Sequence, residues 1–270
     1  MCYVLSNAHK YNKFGNLSIH RSIDVEYTSP IMSQYSRLSL KHPWDLSPKE
    51  AIEFQKKLRS QVKIQPFGDL SKIRYIAGAD VSMNLYSNTV YAGFVVLAYP
   101  TLEIVAHAVV KDETRFPYIP GLLSFREIPS LLKAWEKLNK ESPQFIPDII
   151  VVDGIGIAHP RRLGIASHLG VILDKPTIGC AKSVLIGKYQ EPESKPGSFS
   201  YLYDKEEVIG AALRTKIIGS RPVNPIFISP GNKINLEDSL TLMKSCVRKH
   251  RLPELTRQAH ETVNEYRRRG

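Results

Sequence analysis

The chain has only three cysteines in 270 residues, Cys2, Cys180 and Cys246, and they lie far apart. Neither a disulfide framework nor a Cys-x-x-Cys zinc site can be assembled from that spacing, so disulfide scaffolds and zinc ribbons are excluded. A reducing, cytoplasmic setting is expected. No run of about 18 apolar residues occurs, which removes a membrane-spanning helix. The first 32 residues are polar and carry no apolar core ahead of a cleavage site, so they do not read as a secretory signal. There is no internal repeat. Acidic residues are in deficit: 26 Asp and Glu stand against 37 Lys and Arg, a net charge of +11. Such a surplus bears on partners and not on fold, and nucleic acid is the leading candidate. The remainder, 43% hydrophobic and 23% charged, is that of an ordinary globular chain.

Residues 1–40 show no sustained periodicity and read as an N-terminal extension; a single catalytic domain is expected over 41–270. Ser47-Pro48-Lys49-Glu50 is a helix start, with a Ser cap, Pro at the first position and Glu placed to close a capping box. Ala51, Phe54, Leu58 and Val62 follow at helical spacing. Three strand-like segments, 73–82, 90–99 and 103–110, are joined by short turns and so predict an antiparallel meander. An amphipathic helix carries Ile128, Leu131, Leu132, Trp135 and Leu138. Ile149-Ile150-Val151-Val152 is a run of β-branched residues, the pattern of a strand buried on both faces, and it ends in Asp153-Gly154. A helix over 161–174, a short strand at 177–178, a polar loop over 187–200 and strands over 207–213 and 225–229 come next. Asn235 caps a helix with Leu236, Leu240, Met243 and Val247, and a last helix carries Leu255, Ala259, Val263 and Tyr266. The order predicts an α/β fold with a mixed central sheet, an antiparallel three-strand meander plus parallel strands, flanked by helices. It is the element order of the RNase H-like fold.

Three carboxylates stand out. Asp80 sits among Ile76, Ala77, Gly78, Ala79 and Val81, where a carboxylate costs several kcal/mol unless paired or metal-bound; the plain alternative is an outward-facing residue of a strand with period two. Asp153 closes the buried strand, and ligands of open α/β sheets sit outside the carboxyl ends of strands, although Asp-Gly is also a turn signal. Glu127 stands four residues before Leu131, toward the core-facing edge of its helix, and taken singly it only complements the helix dipole. If the first and fourth strands are neighbours, all three meet in one crevice. Clustered carboxylates repel and need a hard cation, and Mg²⁺ takes oxygen ligands while keeping waters for a phosphate substrate. His159 either steers a phosphate or is a helix-start histidine beside a basic pair, and Lys182, taken alone, reads as solvated surface.

Taken in order, several segments resemble the endonuclease V family: Trp44 to Ala51, Ala77-Gly78-Ala79-Asp80-Val81-Ser82, Pro117 to Glu127, Asp153-Gly154 with His159 to His168, Ala181-Lys182-Ser183, Ser229-Pro230-Gly231, and Leu252 to His260. The resemblance runs from about Trp44 to Arg269. It implies a metal-dependent DNA repair endonuclease that recognises deoxyinosine, the product of adenine deamination. Such an enzyme hydrolyses the second phosphodiester bond 3′ to the lesion, leaving 3′-hydroxyl and 5′-phosphate ends. Inosine-containing RNA is a further substrate to test. Mg²⁺ is the implied cofactor, with Mn²⁺ as a substitute, and a monomer is expected. The implied metal carboxylates are Asp80, Asp153 and Glu127; His159, Lys182 and His260 complete the catalytic set. Pro117, Tyr118, Ile119 and Pro120 match the strand-separating wedge, where a ring between rigid prolines can fill the gap left by an extruded base. Gly121, Leu123, Gly154, Gly164, Ile165 and Gly179 match the lesion pocket, whose backbone would read hypoxanthine by the oxygen that replaces the adenine amine. Two positions depart from the common family pattern. Ile155 stands where many members are polar, and Asn232 where many have His; Asn232 is thereby expected near a phosphate or water contact. A non-catalytic inosine reader and an RNase H or junction resolvase are the competing classes. The first leaves the carboxylates unexplained and the second leaves Tyr118 unexplained.

Overall fold

The computed structural model describes residues 42–84, 87–218 and 221–270. The extension expected over 1–40 therefore lies outside the described residues. Helix α1 (Pro48–Leu58) begins as the sequence predicts: Ser47 accepts from the Glu50 N–H, and Glu50 accepts from the Ser47 N–H at 2.8 Å.

The meander forms from β1 (Tyr75–Met83), β2 (Thr89–Ala98) and β3 (Ile104–Glu113), all antiparallel. After helix α2 (Leu123–Glu141), strand β4 (Ile149–Asp153) inserts parallel to β1. Helix α3 (Ile165–Leu173) then leads to β5 (Thr177–Ala181), parallel to β4. Strands β6 (Lys188–Tyr189), β7 (Phe199–Asp204) and β8 (Glu207–Leu213) follow, then a small ribbon of β9 (Ile217–Ile218) and β10 (Arg221–Pro222), and β11 (Ile226–Asn232). Helices α4 (Leu236–Ser245) and α5 (Glu254–Arg269) end the chain. The sheet order is β3-β2-β1-β4-β5-β11-β8-β7-β6, a mixed α/β sheet with helices on both faces, as the RNase H-like reading requires.

The apolar run of β4 is explained by the two cores. Ile149 and Val151 pack on one face with Ile76, Met243 and Leu255, while Ile150 and Val152 pack on the other with Phe94, Leu131, Trp135 and Leu169. Gly78 lets α5 lie close on β1, since a Cβ there would stand 2.1 Å from the Leu255 carbonyl oxygen. That approach carries His260 over the end of β1.

Three expectations need correction. Helix α3 starts at Ile165 and not at 161, because Arg162 takes a left-handed conformation (φ 55°) and Gly164 is the N-cap. Helix α2 starts at Leu123, ahead of the apolar stripe, and keeps Pro129 inside it, so Glu127 lies in its second turn. The polar loop over 187–200 contains β6 and the start of β7; its alternation of aromatic and polar residues is a strand signal hidden by the flanking Pro and Gly.

Candidate active site

Parallel pairing of Ala79 with Val152 sets the next residues, Asp80 and Asp153, side by side at the ends of adjacent strands. Asp80 is 6% exposed. Its Oδ2 lies 3.0 Å from Nδ1 of His260 on α5. The Lys182 ammonium, just past β5, donates to Asp153 Oδ2 at 2.6 Å. Ligand atoms of Asp80, Asp153 and His260 all lie within 4.8 Å of one another. Glu127 enters from α2 and lines the same cavity, with Asp80, Asp153, Lys182 and His260.

The electrostatics are those of crowded acids. Burial, then the charges of Asp80 and Asp153, push the Glu127 carboxyl up to about 8. Burial, then Asp80, also raises Asp153, against the opposing bond from Lys182. The hydrogen bond to Asp80 holds His260 above the usual imidazole value. A carboxylate made to keep its proton by burial and by two neighbouring carboxylates marks a place where a divalent cation is favoured. The donors are mainly oxygens, so the set fits a hard ion, with His260 as a nitrogen donor beside it. The expected trio of Asp80, Asp153 and Glu127 is thus brought together, and His260 stands closer to the two aspartates than sequence spacing alone could show.

A second cavity, of about 320 Å³, adjoins the first, and Glu127, Asp153 and Ile165 line both. Its walls are Gly121, Leu123, Gly154, Gly164 and Ile165, with Ile155, Leu163, Val184 and Leu185. Tyr118, 65% exposed, stands at its mouth with Pro120, while Ile119 anchors the segment against Phe116, Leu122 and Phe125. Arg126, buried beneath, donates to the Phe116 carbonyl at 2.6 Å and to the Ser87 carbonyl at 3.1 Å.

Gly121 joins wedge to cavity. Its φ of 79° suits glycine, and its carbonyl accepts from Gln55 Nε2, His159 Nε2 and Arg161 Nη2 at 3.2, 2.9 and 2.7 Å. His159 is 2% exposed, and burial lowers its pKa to about 4. Its Nδ1 accepts the Arg161 N–H at 3.1 Å, so the proton sits on Nε2. His159 therefore stands in the cavity wall as a neutral ring with both nitrogens engaged, apart from the acidic cluster. Gly179 does not line the cavity. A Cβ there would stand 2.4 Å from the Gly156 nitrogen, so this glycine lets β5 pack against the 155–156 loop. Gly164 serves the same loop from the other side, where a Cβ would stand 2.3 Å from the Ile155 carbonyl oxygen, and lines the cavity as well.

Both departures find a place. Ile155 is an apolar wall residue packed with Val184. Asn232 is away from the site: its Oδ1 accepts the Lys63 N–H at 3.0 Å, and its Nδ2 donates to the carbonyls of Gly170 and Lys175 at 3.0 and 3.3 Å. The expected phosphate or water contact at Asn232 gives way to a buried clasp. Sequence reasoning missed Gln55, Val184 and Leu185. Gln55 left a signal, a polar residue on the buried stripe of α1 between Ala51 and Leu58; Val184 and Leu185 lie in a loop with no periodicity.

Among the described residues, no helix is long and apolar enough to cross a membrane. The sequence profile of the endonuclease V family matches residues 56–261. Endonuclease V from Dehalococcoides mccartyi is 48% identical over 224 residues, 83% of this chain and 96% of that protein. The crystal structure of endonuclease V from Streptomyces avermitilis superimposes with a TM-score of 0.76 at 37% identity, covering 84% of this chain and 95% of that one. Endonuclease V from Ciona intestinalis, solved in complex with a 24mer DNA containing an inosine followed by a ribo-adenosine, gives 0.70 at 29% identity, over 82% of this chain and 98% of that one.

Proposed function

The chain belongs to the endonuclease V family, a DNA repair nuclease that hydrolyses phosphodiester bonds, and from that premise we propose that it recognises deoxyinosine and nicks the second phosphodiester bond on the 3′ side. The ends left are 3′-hydroxyl and 5′-phosphate, and inosine-containing RNA is a second substrate. The observation that carries the reading is the pairing of two cavities. An acidic, cation-seeking one and a mainly apolar one share Glu127, Asp153 and Ile165 as a common wall. A lesion base held in the second leaves its downstream phosphates beside the first.

Recognition rests on extrusion of the base. Tyr118 occupies the gap in the stack, compensating part of the unstacking cost. The base enters between Leu123, Leu163 and Ile165, and backbone groups of the 154–155 and 164–165 turns read its edge. Neutral His159 holds the Gly121 carbonyl and thereby the angle between wedge and pocket.

Asp80, Asp153 and Glu127 would hold Mg²⁺, with Mn²⁺ as a substitute. When bound, the ion would supply positive charge at the attacked phosphate and favour ionisation of a nearby water. Cleavage with these products breaks the bond from phosphorus to the 3′ oxygen, which takes up a proton as water oxygen bonds to phosphorus. Lys182 and His260, each held by an aspartate of the cluster, are the proton-bearing groups placed to neutralise the phosphate and to supply that proton. A monomer is the acting species in this reading. Residues 41–270 form the catalytic domain in this reading and 1–40 an extension. A cytoplasmic setting belongs to this reading; Cys180 and Cys246 are buried free thiols, which burial pushes up to about 12 and about 11.

The test is end-mapping. A labelled duplex with one deoxyinosine, and its RNA counterpart with one inosine, are incubated with Mg²⁺ and sized against a ladder. One nick a single bond beyond the lesion's own 3′ phosphate is expected. Equal cutting of lesion-free strands would refute lesion recognition.

A further inference from the structure

The far edge of the sheet carries an aromatic surface for which lesion cleavage has no use. Leu202 of β7 packs inward against Ala158 and Ile209. Phe199, Tyr201 and Tyr203 therefore share the opposite face, 38%, 39% and 42% exposed. Alternate residues of a strand stand about 6.6 Å apart. The three rings meet edge to face, with centroids 5.5 Å apart for Phe199 and Tyr201 and 6.2 Å for Tyr201 and Tyr203, so they do not cover one another by parallel stacking. A lysine stands at each end. Lys244 Nζ, from α4, lies 4.5 Å from the Phe199 ring centroid. Lys188 pairs in register with Tyr203 and lines, with Tyr189, Tyr201 and Tyr203, a cavity of about 490 Å³. Of the carboxylates nearby in sequence, Asp204 and Glu207 pair with Arg162, and Glu191 with Arg214.

We propose that this row is a second nucleic-acid contact surface, which takes a single-stranded segment by stacking bases on Phe199, Tyr201 and Tyr203 while Lys188 and Lys244 meet its phosphates. An open sheet face bearing rings and flanked by cations is the physical basis of sequence-tolerant single-strand binding, because every base offers a π face. Charge selects this occupant. The chain carries +11 overall, the row is bounded by ammonium groups, and lysine is depleted in protein–protein interfaces. Placement agrees. The order β4-β5-β11-β8-β7 sets the row four strands from Asp153, about 19 Å at the usual strand spacing. That is outside the catalytic cleft, and on the face of the sheet opposite Leu202, which packs with the pocket-wall residue Ile155. The surface requires neither a deaminated base nor a metal, so it stands apart from the cleavage reading.

The experiment is fluorescence anisotropy of the full chain with labelled, lesion-free oligo-dT and oligo-U in EDTA at low salt. Parent protein is compared with Tyr201→Leu/Tyr203→Leu, which keeps the face apolar, and Tyr201→Phe/Tyr203→Phe, which keeps the rings. Loss of about five-fold per ring predicts about 25-fold weaker binding for the Leu pair and binding within about two-fold of parent for the Phe pair. Nicking of a short deoxyinosine duplex should be the same in all three, and its failure in all three would remove the cleavage reading while leaving the anisotropy to decide this one. Leu-pair binding within about two-fold of parent for both oligonucleotides overturns the proposal. So does a parent dimer, seen by light scattering, that the Leu pair splits with no change in affinity. Should the Leu pair not fold, Lys188→Gln/Lys244→Gln decides: weaker binding with a shallower salt dependence supports the surface, and an unchanged curve overturns it.

Discussion

Replacing Glu127 by Gln in the metal-free protein is the perturbation whose size the structure sets most directly. The carboxyl, ordinarily near 4.5, is pushed up to about 8 by burial and by Asp80 and Asp153. Between those values the folded protein holds a proton that the unfolded chain has released. Stability therefore falls as pH rises through this window, by about 1.4 kcal/mol per unit, and the loss is complete above the folded value. From pH 6 to pH 8 the loss is ~2 kcal/mol, because the carboxyl is half ionised at pH 8, or ~4–8 °C of melting temperature at ~2–4 °C per kcal/mol for a chain of this size. Gln keeps the shape of the protonated acid and has nothing to release. The assay is thermal melting of parent and Glu127→Gln in EDTA at pH 6, 7 and 8. Subtracting the variant's curve from the parent's cancels the titrating groups that do not interact with position 127, and the variant should gain on the parent steadily as pH rises. Parallel curves would refute the claim that burial and the two aspartates hold this carboxyl protonated. A divalent cation reverses the preference and drives the proton off, so at pH 7 Mg²⁺ binding should release close to one proton in the parent and fewer in the variant, read by calorimetry in buffers of different ionisation enthalpy.

Tyr118→Ala should weaken binding to a deoxyinosine duplex by ~1–3 kcal/mol in a band-shift titration, with no change in melting temperature, because the ring is exposed in the free protein; equal affinities would remove the wedge. Asn232→Ala should destabilise by ~1–3 kcal/mol through the lost clasp to Lys63, Gly170 and Lys175, while single-turnover cleavage at low temperature stays as in the parent; a rate loss with stability intact would return Asn232 to the site. Gly164→Ala places a Cβ 2.3 Å from the Ile155 oxygen and should shift the start of α3, costing discrimination between deoxyinosine and deoxyadenosine duplexes more than general DNA affinity; unchanged discrimination would deny Gly164 a place in the pocket.

The parts of this molecule that could be read from its sequence are those in which one local signal has one structural outcome. Ser47, Pro48 and Glu50 specify a helix start, and the run from Ile149 to Val152 specifies a strand between two layers, which leaves Asp153 at its end. Asp80 was legible because a carboxylate inside an apolar strand needs a reason. His260 was legible only through the family resemblance: on α5 it is one polar residue among many, and it reaches Asp80 only because Gly78 removes a side chain from between the helix and β1. Arg162 in a left-handed conformation, which delays α3, is likewise a tertiary effect, held by Asp204 and Glu207 from distant strands. The family resemblance supplied the wedge and pocket, and the geometry redistributes them, with Gly179 behind the loop and His159 in the wall.

The measurement that bears most directly on the whole account is a paired nicking assay of parent and Asp80→Asn on a duplex containing one deoxyinosine, with Mg²⁺ and with EDTA. A single nick 3′ to the lesion, present only with parent and Mg²⁺ and absent from an undamaged duplex, is the predicted result. Cutting that persists in EDTA or survives Asp80→Asn would contradict it.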